Sequence, residues 1–260
     1  MDLAIVIPAY NEARTIRGIA EQALRQAACV IIVDDGSTDA TSDALAGLPV
    51  TLVRNGVNLG KAAALWDGFR IALDRGADFI ATLDGDGQHR PADIARLMRV
   101  ARRYPERIVI GARLRTRANA PLARRCANSF ADFWISWAAG YPIADSQSGE
   151  RVYPASLLRQ VQARHDRDAA FTLESELLIL GARLKYESVA VPIATIYHAD
   201  ARASHFRPVR DIARIAVMVG RSLLGQRMNP RGLWNSLRSA PVVVDERAAV
   251  DTEAPEAKHV

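Results

Sequence analysis

At 260 residues and 28.4 kDa the chain is long enough to bury a core without disulfides or a structural metal. Its 49% hydrophobic and 24% charged residues exclude collagen-like, mucin-like and wholly disordered classes. The net charge of +5 is uneven: residues 201–240 hold eight Arg against one Asp, and residues 241–260 hold two basic against five acidic residues, which leaves the first 200 nearly neutral. A near-neutral body with a basic strip predicts no nucleic-acid partner, because such a binder is basic along a whole groove with interleaved aromatics.

Leu3 to Pro8 is a short apolar β-type run, and residues 11–26 read as a helix with Ile16, Ile19, Ala20 and Ala23 on one face. Val30–Val33 and Thr51–Arg54 follow as strands, residues 61–75 as a helix, and Phe79–Leu83 and Ile108–Ile110 as two more strands. Strands alternating with helices predict an α/β fold, a single domain around a mainly parallel sheet. Right-handed crossovers then bring the strand ends to one edge, where ligands bind. The longest apolar runs, such as residues 27–33, fall short of the roughly 18 residues that a bilayer requires, and the start at Asp2 offers no basic signal-peptide region. The expectation is a cytoplasmic chain. Cys29 and Cys126, in apolar surroundings without C-x-x-C spacing, read as buried thiols.

Every polar motif falls at a strand end. Asp84-Gly85-Asp86-Gly87-Gln88-His89 places two carboxylates two residues apart beside an amide and an imidazole, a set of donors suited to a hard divalent cation. Asp34-Asp35-Gly36-Ser37-Thr38-Asp39 ends an earlier strand. There Asp35 suits a base N–H or ribose hydroxyl, while Asp39 suits a helix cap near Ala40. Residues 56–62 miss the phosphate-loop spacing by one residue, and Ala62 lacks the metal-binding hydroxyl. The absence of G-x-G-x-x-G after the first strand argues against a dinucleotide-binding dehydrogenase.

Ile7-Pro8-Ala9-Tyr10-Asn11-Glu12, the Val33–Asp39 segment, Asn58-Leu59-Gly60-Lys61, Asp84-Gly85-Asp86 and Gly111-Ala112-Arg113 occur in this order. Together they resemble the family-2 inverting glycosyltransferases of GT-A (Rossmann-like) fold, most closely the polyprenol-phosphate branch that includes dolichyl-phosphate mannose synthase. The resemblance spans about residues 3–215. It implies that Pro8, Tyr10, Glu12, Val33 and Asp35 hold the nucleoside of a nucleotide-sugar donor, with Asn58, Lys61 and Gly85 also at the donor. It implies that Asp84, Asp86 and Gln88 hold Mg2+ or Mn2+ on the diphosphate. Leaving-group charge calls for cations, for which Arg113 and Arg202 are the candidates. Asp145-Ser146-Gln147-Ser148-Gly149-Glu150-Arg151 resembles a family segment running Asp-x-x-x-Gly-Phe-Arg, with Glu150 in place of the aromatic. Asp145 is either a base for a hydroxyl acceptor or a structural carboxylate. A polyprenyl-phosphate acceptor needs no base. Glu174 and Glu176 match a further segment and read as supporting residues.

The expected organisation is a catalytic domain over residues 1–200, a basic amphipathic helical segment over 201–240 and a mobile tail over 241–260. At about 100° per residue Arg210, Arg214 and Arg221 share one sector, opposite Ile212, Ile215, Val219 and Leu223. Such a helix either lies in a lipid headgroup layer, with Trp234 as an interface anchor, or packs on the body. Ser204-His205-Phe206-Arg207-Pro208 resembles a segment of the polyprenol-phosphate branch at the membrane edge. The membrane contact is therefore expected through residues 206–238, with the enzyme peripheral at the inner face of the cytoplasmic membrane.

Overall fold

The computed structural model describes residues 1–114, 122–162, 173–194 and 208–245, with side chains except at 122–124 and 208–214. In chain order the elements are β1 (Leu3–Ala9), α1 (Ile16–Leu24), β2 (Cys29–Asp34), β3 (Thr51–Arg54), α2 (Lys61–Asp74), β4 (Phe79–Thr82), α3 (Ile94–Arg103) and β5 (Ile108–Ala112). They continue with α4 (Leu122–Ala139), β6 (Arg151–Pro154), α5 (Ala155–Gln162), α6 (Leu173–Arg183), β7 (Ser188–Pro192), α7 (Pro208–Gly225) and α8 (Pro230–Arg238).

The seven strands form one sheet in the order β3-β2-β1-β4-β6-β5-β7, parallel except for β6, which runs antiparallel to β4 and β5. The alternation of side chains along a strand divides the core into two layers. Ile5, Ile7, Val30 and Ile32 face α1 and α3 through Ile16, Ile19, Ile94 and Leu97. Ala4, Val6, Ile31 and Val33 face the opposite layer, with Leu65 and Phe69 of α2 and Leu157 and Leu177 beyond. Strands buried on both faces read as continuous apolar runs, which is why β1 and β2 are plain in the sequence.

Three local expectations need correction. The first helix begins at Ile16, not near residue 11, because Asn11 adopts φ +58° and its side-chain oxygen accepts from the Thr38 and Asp39 backbone amides. Cys29 is buried but Cys126 lies exposed on α4. Residues 241–245, expected to be mobile, instead run beside β7: Ala190 N donates to Val242 O at 2.9 Å and Val244 N to Ala190 O at 2.8 Å. A sheet edge with unpaired backbone groups is what holds them. The remainder of the tail, 246–260, lies outside the described residues.

Of the two placements open to the basic helix, its apolar side packs on the body. Val219 and Leu223 are 2% exposed within the main core, with Ile215 and Met218 against it. Arg183 donates to Ser222 Oγ at 2.9 Å, Gln226 to Ala138 O at 2.9 Å, and Trp137 Nε1 to Met228 O at 3.0 Å. The side chains of Arg210, Ile212 and Arg214, and all of residues 204–207, lie outside the described set.

Helix α2 comes close to β1 at Gly68, where an added Cβ would lie 2.2 Å from Val6 Cγ1. Val6 is fully buried and β-branched, so it has no room to turn away. Gly68→Ala should therefore destabilise the fold by about 1–3 kcal/mol, despite alanine's better helix propensity. Urea unfolding checks this, and an unchanged or raised midpoint would contradict the close approach.

Candidate active site

Because β1 pairs in parallel with β2 on one side and β4 on the other, the segments that follow all three strands emerge together. Asp34 is structural: it is fully buried, and its carboxylate accepts from Ser37 N at 2.9 Å and from the Ser42 hydroxyl. Asp35, 3% exposed, accepts three hydrogen bonds from the segment after β3: Asn55 Nδ2 at 3.0 Å, Leu59 N at 3.0 Å and Gly60 N at 2.7 Å. That segment approaches so closely that a Cβ on Gly36, at φ +72°, would sit 2.5 Å from the Val57 carbonyl carbon. Asp35 thus ties Asn58 and Lys61 to the edge, and Asn55 is a partner that sequence reading missed.

Tyr10 and Glu12 follow β1. Glu12 is anchored by its own backbone N–H to Thr41 Oγ1 at 2.8 Å and accepts from Thr15 Oγ1 at its carboxylate, 3.2 Å. Thr15 Oγ1 also donates to Gly85 O at 2.6 Å, and a Cβ on Gly85 would lie 3.2 Å from Pro8 O and 3.4 Å from Glu12 Cγ. The structure therefore brings Pro8, Glu12 and Gly85 together, with Val33 in register with Pro8. Asp39 closes a local turn, accepting from Thr41 N at 3.0 Å and Ala13 N at 3.3 Å, and no α-helix begins at Ala40.

Asp84 is the electrostatic centre of the edge. Lys61 Nζ lies 2.6 Å from its Oδ1 and 3.2 Å from Glu174 Oε1 at the start of α6, so one ammonium serves two carboxylates. Burial opposes the Asp84 charge, but Lys61 and then His89 outweigh it and hold the carboxyl below its ordinary value. Burial pulls the Lys61 ammonium down, but Asp84 and then Glu174 outweigh it and hold it above its ordinary value. Asp86 is exposed at the rim; partial desolvation in its loop and the adjacent Asp84 charge push its carboxyl up. Its Oδ1 accepts from Gln88 N at 2.9 Å.

This repulsion between two neighbouring carboxylates is what a divalent cation relieves. Among the described residues no cluster of three or more His, Cys, Asp and Glu forms a closed metal cage. An open pair of carboxylates is nonetheless the donor set by which Mg2+ is commonly held, with substrate phosphates completing the shell. Asp84 and Asp86 fit such an ion.

The second half of the chain closes on this edge. A Cβ on Gly149 would lie 2.2 Å from Asp84 Oδ2, and Thr82 Oγ1 donates to Gly149 O at 2.8 Å. Asp145, at φ +50°, accepts from Arg113 three times: from Nη2 at 2.6 Å and from Nε and the backbone N at 2.8 Å each. The two candidates expected separately, a cation and a base, are thus partners of one bidentate pair. Burial pushes the Asp145 carboxyl up, but the Arg113 bonds and charge outweigh it and hold the group below its ordinary value. Arg151 is fully buried and donates to the backbone oxygens of Ser146, Ser148 and Glu174, so it fastens the 145–150 loop to α6. Behind Asp84, His89 is 6% exposed and Glu150 is fully buried, with His89 Nδ1 3.1 Å from Glu150 Oε2. Sequence reading noted both residues and gave neither a role; the signal was Glu150 standing where an aromatic was expected. Arg202 lies outside the described residues.

Residues 4–154 match the family described as Glycosyl transferase family 2. The chain is similar to a UDP-N-acetylglucosamine–dolichyl-phosphate N-acetylglucosaminyltransferase of Methanococcus voltae, 31% identical over 214 residues that cover 74% of this chain and 85% of that one. It is also similar to an undecaprenyl-phosphate mannosyltransferase of Micrococcus luteus, 28% identical over 207 residues, 75% of this chain and 84% of that one. Among solved structures, glucosyl-3-phosphoglycerate synthase of Mycobacterium tuberculosis, crystallised with Mn2+, UDP and glucosyl-3-phosphoglycerate, superposes with a TM-score of 0.56 at 19% identity over 86% of this chain and 79% of that one. The expected fold class is met.

Asp145→Asn should cost about 2 kcal/mol at pH 7, the scale of a buried charge-assisted pair losing one charge. A carboxyl held below its unfolded value contributes stability above that value and loses it as pH falls through the folded one. The gap between wild type and variant should therefore narrow below about pH 4. Urea midpoints at pH 7 and pH 3 check this, and a gap independent of pH would contradict the pairing.

Proposed function

The chain belongs to glycosyl transferase family 2 and is a glycosyltransferase; from that premise we propose that it moves a sugar, with inversion, from a UDP- or GDP-sugar to a polyprenyl phosphate at the cytoplasmic membrane face, using Mg2+ or Mn2+. The observation that carries the acceptor class is the Arg113–Asp145 pair. A hydroxyl acceptor must give up a proton to a base within reach, whereas a phosphate oxygen is already anionic. Asp145, bonded through both oxygens to Arg113, is a poor base. The two similar transferases named for lipid-phosphate acceptors support the same reading.

In this reaction an acceptor phosphate oxygen forms a bond to the anomeric carbon while the bond from that carbon to the donor diphosphate breaks, and the electron pair leaves with the nucleoside diphosphate. Pro8, Tyr10, Glu12, Val33, Asp35 and Asn58 form the nucleoside side. Asp35 acts largely by holding the 55–60 segment in place. The Lys61 ammonium and the Arg113 guanidinium stand beside the diphosphate, with Arg202 as a further cation. Held by Asp84, Asp86 and Gln88, a divalent ion would supply Lewis-acid stabilisation of the leaving-group charge. Residues 1–200 carry this chemistry, and residues 201–240 bring it to its acceptor.

No helix among the described residues is long and apolar enough to cross a membrane. The bilayer contact falls instead to what α7 and α8 leave outside. Val217, Leu224, Trp234 and Leu237 are each more than half exposed. Arg221, Arg227, Arg231 and Arg238 share this surface region of the chain, and Arg238 lies 3.7 Å over the Trp234 ring. Each arginine near an anionic headgroup layer adds about 1 kcal/mol.

A radiolabelled UDP- or GDP-sugar incubated with short polyprenyl phosphate and Mn2+ should give label extractable into organic solvent, abolished by chelator. Asp86→Ala should lower that transfer by about 100-fold or more. Label that appears only with a hydroxyl acceptor would overturn the acceptor class, and undiminished transfer by the variant would overturn the metal site. Sedimentation with anionic vesicles should fall about tenfold in the double variant Trp234→Ala, Leu237→Ser, the scale of about 1.5 kcal/mol or more of apolar burial. Equal sedimentation would remove α8 from the membrane contact.

A further inference from the structure

Glu150 is an unusual thing to bury. It is 0% exposed, immediately before β6, and neither carboxylate oxygen has a well-formed hydrogen bond among the described residues. Its one close polar neighbour is His89, whose Nδ1 stands 3.1 Å from Oε2 in poor alignment and is equally buried. Leaving an ionisable carboxylate this poorly satisfied costs several kcal/mol. The aromatic residue of the resembling family segment would avoid that cost at the same position.

The geometry gives Glu150 a use. The His89 ring bridges two carboxylates: Nδ1 faces Glu150, and Nε2 lies 3.9 Å from Asp84 Oδ2. Asp84 Oδ1 is taken by Lys61. The backbone of the Glu150 segment is fixed as well, since Gly111 N donates to Glu150 O at 2.8 Å. Asp93, Asp84 and Arg113 are the other charges felt by the pair.

We propose that Glu150 is a positioning residue that acts through His89: it holds the Nδ1 edge of the imidazole, turns the Nε2 edge onto Asp84, and so fixes the first carboxylate of the acid loop from behind while Lys61 fixes it from the front. A ligating carboxylate or imidazole is commonly oriented by such an outer partner, and losing that partner costs about 10- to 100-fold in affinity or activity. The inference rests on the reading of Asp84 as a donor-diphosphate residue.

The test uses the full chain labelled with 15N-histidine, with the His89 ring signals identified by their loss in His89→Gln. In the wild type the long-range proton–nitrogen spectrum should show His89 carrying a proton on Nε2, the edge turned to Asp84. Glu150→Gln, whose amide can still hydrogen-bond Nδ1, should keep that pattern and most of the affinity for UDP or GDP with Mn2+ measured by calorimetry. Glu150→Phe should change the ring pattern, weaken that binding about tenfold or more and lower kcat, while its unfolding midpoint stays equal or rises. Glu150→Leu, which is smaller, carries the same test if the phenylalanine variant does not fold. Ring signals and nucleotide affinity in the Phe or Leu variant equal to those of the wild type would overturn the proposal. A wild type that binds nucleotide with the expected ring signature, yet transfers nothing to polyprenyl phosphate, would sink the acceptor reading and leave this one standing.

Discussion

Parallel pairing of β1 with a neighbour on each side is the constraint from which the rest follows. A strand paired this way is buried on both faces, so it must be apolar throughout, and the chain returns to its start only through helices packed on the faces of the sheet. The three segments leaving β1, β2 and β4 then have nowhere to go but the same edge. All the polar residues of the first hundred positions that matter to chemistry are gathered there. Gly36, Gly68 and Gly149 are three places where close packing leaves no space for a side chain.

Gathering carboxylates on one edge creates an electrostatic problem that Lys61 and Arg113 ease. Lys61 is shared between Asp84 and Glu174, Arg113 pairs with Asp145, and the buried Arg151 collects backbone oxygens that would otherwise face the interior unpaired. Asp86 is the exception, its carboxyl pushed up by partial desolvation and by the adjacent Asp84 charge, and an added cation would relieve it. The strand that breaks the parallel pattern, β6, is also the one that delivers the 145–150 loop to the acid pair, since it runs against β4 and so begins where β4 ends.

The C-terminal helices are part of the same body. Of the two placements open to the apolar side of α7, it fills space against the body, where Val219 and Leu223 meet a core that would otherwise be open to water. Left exposed are Leu224 on α7 and Trp234 and Leu237 on α8, with Arg238 over the Trp234 ring. That division, an apolar face packed inward and a charged face left outside, is what the amphipathic pattern of α7 permits.

The sequence by itself determined the central strands, the α/β class and the family, because apolar runs, turn residues and motif order are local signals. It also located Pro8, Asp35, Asp84 and Asp86 at strand ends. It missed the short β6 and β7, whose four and five residues carry too little pattern to distinguish a strand from a buried turn. Only the tertiary structure decided which charges meet. Lys61 and Glu174 lie 113 residues apart, Arg113 and Asp145 32 apart, and His89 and Glu150 come from different strand ends. A salt bridge depends on distance in space, and nothing in the order of residues states that distance until the sheet has closed.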